Sequence, residues 1–199
     1  MNKLNPNNTA IIKHAQEQQM ALACKAGDRL AQEEVYARFS KKMYAVCMRY
    51  AKDAGNAEDI LIEGFTKVFL KIDTYNGHGS FEGWIRSIIV NCALTAYHKS
   101  LRSVRTTSMY DVLVDEPAWF QQEDASNMDY LLKGLQSLPD QYRMAFNMFV
   151  LEGYTHQEIG LLLDIEPALS KVRVSRARKM LQSRLQLMGQ RISKGHYAA

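Results

Sequence analysis

The chain has 199 residues, 47% hydrophobic and 23% charged, which suits one ordinary soluble domain or two small ones and excludes a disordered polypeptide. Its net charge is only +4, so a polyanionic partner must be held by a local patch and not by general basicity. No apolar run approaches bilayer length and MNKLNPNNTAIIK lacks a signal-peptide core, so a cytoplasmic protein without membrane insertion is expected.

Nearly every segment reads as helix. Tyr36, Phe39, Met43, Val46 and Tyr50 recur at three and four residues and predict a long amphipathic helix from about Arg29 to Ala51. Asn56 is placed to cap the next helix, with Glu58 and Asp59 in its first turn, where the helix dipole favours anions. The inward stripe of that helix is Ile60, Leu61, Phe65, Val68 and Ile72. The stretch Tyr75-Asn76-Gly77-His78-Gly79-Ser80 reads as a turn that ends in a helix-capping serine. The following helix carries Phe81, Trp84, Ile85, Ile88, Ile89 and Cys92 inward and ends in the basic run from His98 to Arg105.

From Thr106 through Leu132 there is no Lys or Arg, while Asp111, Asp115, Glu116, Glu123, Asp124 and Asp129 are present and Pro117 interrupts a weak periodicity. Residues 104–125 are therefore read as a flexible acidic linker between two small helical domains, 20–103 and 126–190. The expected fold class is all-α. Ser126 and Asp129 open a helix bearing Leu131, Leu132, Leu135 and Leu138, and Pro139 starts another that stops at Gly153.

The next segment carries the chemistry. Thr155 and Glu158 form a T-x-x-E capping box, so a helix should begin at His156 with Ile159, Leu162 and Leu163 on its apolar side. Asp164-Ile165-Glu166 leaves room only for a turn, and Pro167 suits the first position of a second helix. That helix turns Ser170, Val174, Ala177, Leu181 and Leu185 inward and leaves Lys171, Arg173, Arg176, Arg178 and Lys179 largely outside. Between Pro167 and Ala199 there are eight Lys or Arg and no acid. A short helix crossing a second, cationic one is the arrangement by which a helix-turn-helix enters a DNA major groove, and the competing reading is an α-hairpin with a solvated basic face.

Cys24, Cys47 and Cys92 are odd in number and sit at helical apolar positions, so buried thiols are expected and not a disulfide. The histidines share no ligand spacing with them, and no metal or cofactor is expected. No nucleophile, acid–base pair or metal set converges, which disfavours an enzyme.

The stretches AGD at 26–28, VYARFSKKMYAVCMRY at 35–50, AEDILIEGFTKVFLKI at 57–72 and SFEGWIRSIIVN at 80–91 resemble region 2 of an RNA polymerase sigma factor of the sigma-70 family, extracytoplasmic-function (ECF) type. LQSLPDQYRMAFNMFVLEGYTHQEIG at 135–160 and SRARKML at 175–181 resemble region 4 of the same family, in family order. The resemblance implies a non-enzymatic protein that binds core RNA polymerase, directs it to promoter DNA and has an anti-sigma factor as partner. It implies a polymerase-docking surface at Glu58, Asp59, Ile62, Glu63 and Lys67, joined by Tyr44 and Arg49. It implies contacts to the −10 element from Tyr75, Asn76, His78, Ser80 and Asn91, with His98, Lys99, Arg102 and Arg105 on phosphates.

For the −35 element it implies Leu169, Lys171, Val172, Arg173, Arg176 and Arg178 on the recognition helix. The family commonly opens that helix Gly-Thr-Val-Lys-Ser-Arg. Here Leu169 and Val172 bring apolar groups that cannot replace hydrogen bonds to base edges, so the sequence preference should differ. Two other readings stay open at this point: a stand-alone helix-turn-helix regulator that binds a palindrome as a dimer, and a protein that only sequesters polymerase.

Overall fold

The computed structural model describes residues 6–106 and 127–195. Among them are eight α-helices, one 3-10 turn and one π-helical turn, and no strand. The acidic stretch read as a linker lies outside the described residues, apart from the end of the helix that precedes it. The chain packs as two units, the first taking in the residues up to Cys47 and then Asp53–Ala93, the second taking in Met48–Lys52 and the chain from Leu94 onward.

The first unit contains Pro6–Lys25 (α1), most of Arg29–Tyr50 (α2), Ala54–Leu70 (α3) and the first half of Phe81–Thr106 (α4). Its core draws on the predicted stripe of α2, with Phe39, Met43, Val46 and Cys47 buried, but Val35 takes the inward place expected of Tyr36, which is 43% exposed. Against it lie Ile60, Leu61, Phe65 and Val68 of α3, and Phe81, Ile85 and Ile89 of α4. Phe39 meets Phe81 edge to face with ring centroids 5.9 Å apart. Cys24, Cys47 and Cys92 are buried free thiols, as expected, and burial pushes the Cys24 and Cys92 thiols above the ordinary value.

Two expectations need correction. The cap of α3 is Asp53 and not Asn56: the Asp53 carboxylate accepts from the Asn56 backbone N–H at 2.8 Å and from its side-chain amide at 2.6 Å. A carboxylate makes the stronger, charge-assisted cap, and Asn56 at the third helical position serves as its partner. The second is α1, for which no helix was predicted. Its sequence is polar, and Met20, Ala21 and Cys24 are the apolar side chains it buries among its described side chains.

The second unit is built from Asn127–Gln136 (α5), Asp140–Phe146 (α6), His156–Leu163 (α7) and Pro167–Gly195 (α8). Leu135, Leu138, Phe146, Ala177 and Leu181 form one buried cluster, with Tyr142 and Leu185 packed on its margin. After α6 the chain makes a π-helical turn, Asn147–Leu151, in which the Glu152 N–H reaches back five residues to the Asn147 carbonyl, and Gly153 at φ 79° ends it.

The last turn of α2 is also part of this unit, and its end carbonyls are individually capped. Gln136 Nε2 donates to Met48, Asn147 Nδ2 to Arg49 and Arg143 Nε to Tyr50, at 3.0, 2.6 and 3.3 Å. Three of the groups that a helix C-terminus leaves unsatisfied are thus served by side chains nearly a hundred residues away.

Gly160 makes the α7–α8 turn possible. A Cβ there would sit 2.8 Å from the Ile165 carbonyl oxygen and within 3.5 Å of the Pro167 ring. Backbone cannot swing aside as a flexible side chain can. Gly160→Ala should therefore cost about 1–3 kcal/mol, the range for overpacking, measured as the shift in a urea-unfolding transition. An unchanged midpoint would show that the turn yields.

Candidate nucleic-acid interface

In the second unit the capping box is present in full. Thr155 Oγ1 accepts from the Glu158 N–H at 3.2 Å, and the Glu158 carboxylate accepts from the Thr155 N–H at 2.8 Å. The Thr155 N–H, and after it the Thr155 hydroxyl that also donates to the carboxylate, lower the Glu158 pKa from its ordinary value. Helix α7 ends on Asp164 in the left-handed conformation, φ 53°, and the Ile165 N–H closes back on the Gly160 carbonyl at 2.9 Å. Pro167 then opens α8 as predicted.

Ser170, Val174, Ala177 and Leu181 are buried, while Leu169 and Val172 remain 42% and 43% exposed beside exposed Lys171 and Arg176 and half-buried Arg173. Residues 169, 172, 173 and 176 fall on one face of the helix by their spacing of three and four. That face combines two cations with two apolar groups of the kind that contact a thymine methyl.

Neighbours brace this helix. Phe149 stacks on His156 with centroids 4.2 Å apart, and the Arg178 guanidinium lies 5.8 Å over the Phe149 ring. Arg176 reaches the Tyr142 hydroxyl at 3.5 Å. His156 Nδ1 and the buried Ser170 hydroxyl share a hydrogen bond of 3.0 Å. Desolvation first, then Lys171 and Arg178, push the His156 pKa below its ordinary value of 6.5. The unfolded chain therefore takes up this proton before the folded one does. The stability that His156 contributes is complete above about pH 6.5 and is lost as pH falls through the lowered folded value. His156→Gln should flatten the fall of urea midpoint with acidification below pH 6.5, and an unaltered slope would sink that reading.

The first unit displays the other surface. Tyr75 is 3% exposed, its ring against Phe81 and Trp84 and its hydroxyl donating to the Gly79 carbonyl at 3.1 Å. It braces the turn, and Asn76, His78 and Ser80 stand exposed on it. Asn76 Oδ1 accepts from the His78 N–H, and Ser80 Oγ from the Gly83 N–H as the cap of α4. Asn91, further along α4, is exposed as well.

Of the group predicted on phosphates, Lys99 and Arg102 are exposed in the second unit. There His98 Nε2 donates to the Leu162 carbonyl at 2.9 Å. The Arg105 side chain lies outside the described residues. On α3, Glu58, Asp59, Glu63 and the 63%-exposed Ile62 face solvent, and Lys67 pairs with Glu63 at 2.5 Å. Tyr44 is half-buried, and Arg49 pairs with the Glu152 carboxylate at 2.9 Å. Arg143 and Asn147, which donate to carbonyls at the end of α2, are not distinguished by the sequence, because those partners are too remote in the chain to show as a local pattern.

Comparison with known families gives two matches, Sigma-70 region 2 over residues 35–103 and Sigma-70 region 4 over residues 128–181. The chain belongs to the sigma-70 family. The ECF RNA polymerase sigma-E factor of Escherichia coli is 26% identical over 174 residues, covering 80% of this chain and 89% of the relative. The RNA polymerase sigma-H factor of Pseudomonas aeruginosa is 23% identical over 190 residues, covering 88% and 97%. Among solved structures, the sigma factor RpoE from Bartonella quintana, crystallised with the anti-sigma factor NepR, matches with a TM-score of 0.51 at 20% identity, over 77% of this chain and 96% of that one.

This sigma factor is therefore of the ECF type, an alternative sigma factor that directs core RNA polymerase to promoters. Sigma factors as a class are initiation factors and not enzymes. No helix among the described residues is long and apolar enough to cross a membrane.

Proposed function

We propose that this sigma factor reads the −35 element with the face of α8 that carries Leu169, Val172, Arg173 and Arg176, and the −10 element with the turn at residues 75–80 and Asn91. The observation that carries the reading is the α7–α8 pair: a capped helix, a tight turn and a helix whose small and apolar groups are buried while cations and two aliphatic tips project. Lys171 and Arg178 supply phosphate contacts beside it, as Lys99 and Arg102 do beyond Asn91 on α4. The exposed Ile62 amid Glu58, Asp59, Glu63 and Lys67 suits docking on the polymerase, and Tyr44 and Arg49 are assigned to the same task. Residues 20–103 and 126–190 are the functional domains, with 104–125 as the tether.

The chain acts in the cytoplasm, where the polymerase is, and performs no catalysis itself. An anti-sigma factor is a further partner, since the Bartonella quintana relative was crystallised with one. The test is run-off transcription by purified core enzyme and this chain on a promoter library. Selected promoters should share −35 and −10 elements, and scrambling either should abolish the transcript. Transcripts that ignore the −35 sequence, or tight dimeric binding to a palindrome without polymerase, would overturn the assignment.

A further inference from the structure

The turn at 75–80 is held partly from outside itself. Gly77 and Gly79 lie at φ 81° and 75°, in the left-handed region, where a glycine brings no preference of its own. Beside its internal bonds, from the Tyr75 hydroxyl to the Gly79 carbonyl and from the His78 N–H to Asn76 Oδ1, two of its carbonyls are received by a helix that precedes the region 2 match. Lys25 Nζ, at the end of α1, donates to the Tyr75 carbonyl at 2.6 Å and to the Asp73 carbonyl at 3.3 Å. Gln18 Nε2, two turns earlier on the same helix, donates to the Gly77 carbonyl at 3.4 Å.

Alternate carbonyls, at 73, 75 and 77, are thus tied to one face of α1, and Asn76 and His78 are left exposed. Between the two donors α1 is anchored by buried Ala21 and Cys24, so they are presented from a fixed helix. An ammonium with two carbonyl acceptors makes charge-assisted bonds, stronger than neutral ones.

We infer that α1 is a splint for the base-reading turn and that Lys25 is a positioning residue for −10 selectivity, although it touches no DNA. The inference rests on the proposed reading of the −10 element by that turn. Discrimination between bases needs Asn76 and His78 at fixed places, because a hydrogen bond to a base edge is lost with small displacements. Without the ammonium, the Tyr75 carbonyl of the turn and the Asp73 carbonyl just before it return to solvent and the glycines resume their freedom. Lys25→Met keeps the aliphatic stem and removes the donors; Lys25→Arg restores a cation that can reach both carbonyls.

The experiment uses the full chain with core polymerase and single-stranded −10 oligonucleotides substituted one base at a time, together with amide hydrogen exchange on the free protein. Lys25→Met should reduce discrimination at one or two −10 positions by roughly tenfold, about the worth of one charged hydrogen bond. It should also speed exchange at His78 and Gly79, leave the amides of α2 and α4 protected, and be rescued by Lys25→Arg.

Asn76→Ala and His78→Ala separate the two layers. If either changes −10 selectivity while Lys25→Met changes neither selectivity nor exchange, the splint is wrong and the reading stands. If Asn76→Ala, His78→Ala and Lys25→Met all leave selectivity unmoved, the reading fails and takes the role of Lys25 with it. Altered selectivity in Lys25→Met alone keeps the splint and removes those two side chains as the readers.

Discussion

Replacing Arg143 with methionine should destabilise the second unit by about 3–5 kcal/mol, the range for removing one member of a buried charged pair. The side chain is 2% exposed. Its guanidinium donates through Nη1 to the Gln136 and Leu138 carbonyls at 3.1 and 3.0 Å, through Nη2 to Asp140 at 2.8 Å, and through Nε to Tyr50. Burial lowers its pKa, and Asp140 opposes that shift.

Methionine fills much of the same volume, so the loss isolates the hydrogen bonds from the packing. A buried ion pair can be exchanged for apolar groups at little cost when both partners go. Here three of the four acceptors are backbone carbonyls, which no substitution removes, and each left dry costs about 1–3 kcal/mol. Asp140 is 26% exposed and also meets Lys52 at 3.2 Å, so it stays partly satisfied and limits the total. Arg143→Lys should recover little, because a compact ammonium cannot span a fork of four acceptors. A chemical-denaturation difference below about 1 kcal/mol would show that water enters and serves these carbonyls.

The same residue shows what a sequence conveys and what it withholds. The capping box at Thr155 and Glu158, the proline at the head of α8 and the buried series Ser170, Val174, Ala177 and Leu181 were legible because each rests on a local rule: a three-residue reach, a missing N–H, a period of 3.6. The stripes of α2, α3 and α4 were legible for the same reason. Arg143 and Asn147 look like ordinary polar members of a helix, and only the last turn of α2, whose carbonyls they receive, makes them interior. Helix α1 is not legible because its apolar residues set no clear period, and the sequence does not separate Asp53 from Asn56 as the cap of α3 because both are good caps on their own. In the candidate site the exposed face of α8 could be read ahead. Burial of the Tyr75 ring and the tie from His98 to Leu162 could not, since each depends on a neighbour supplied by tertiary packing.

Arg173→Ala should lower promoter affinity of the reconstituted holoenzyme by about 1–3 kcal/mol and relax selectivity at a single −35 position. The position argues for base contact over phosphate contact. Residue 173 sits one turn after Leu169 and next to Val172, whose tips project from the same face. Arg173 is half-buried and near enough to the buried Tyr97 to act on it electrostatically, so its side chain is confined by neighbours, unlike the exposed ammonium of Lys171. A confined, planar fork matches the paired acceptors of a guanine edge, whereas a freely hydrated ammonium gains from any phosphate within reach. The two substitutions should therefore differ in kind. Lys171→Ala should weaken all promoter variants alike and reduce the slope of log affinity against log salt by roughly one. Arg173→Ala should move one column of the selectivity profile. Competition binding over a −35 library at two salt concentrations separates them, and a uniform, salt-linked loss from Arg173→Ala would reassign it to the backbone and leave discrimination to Arg176 and the two apolar tips.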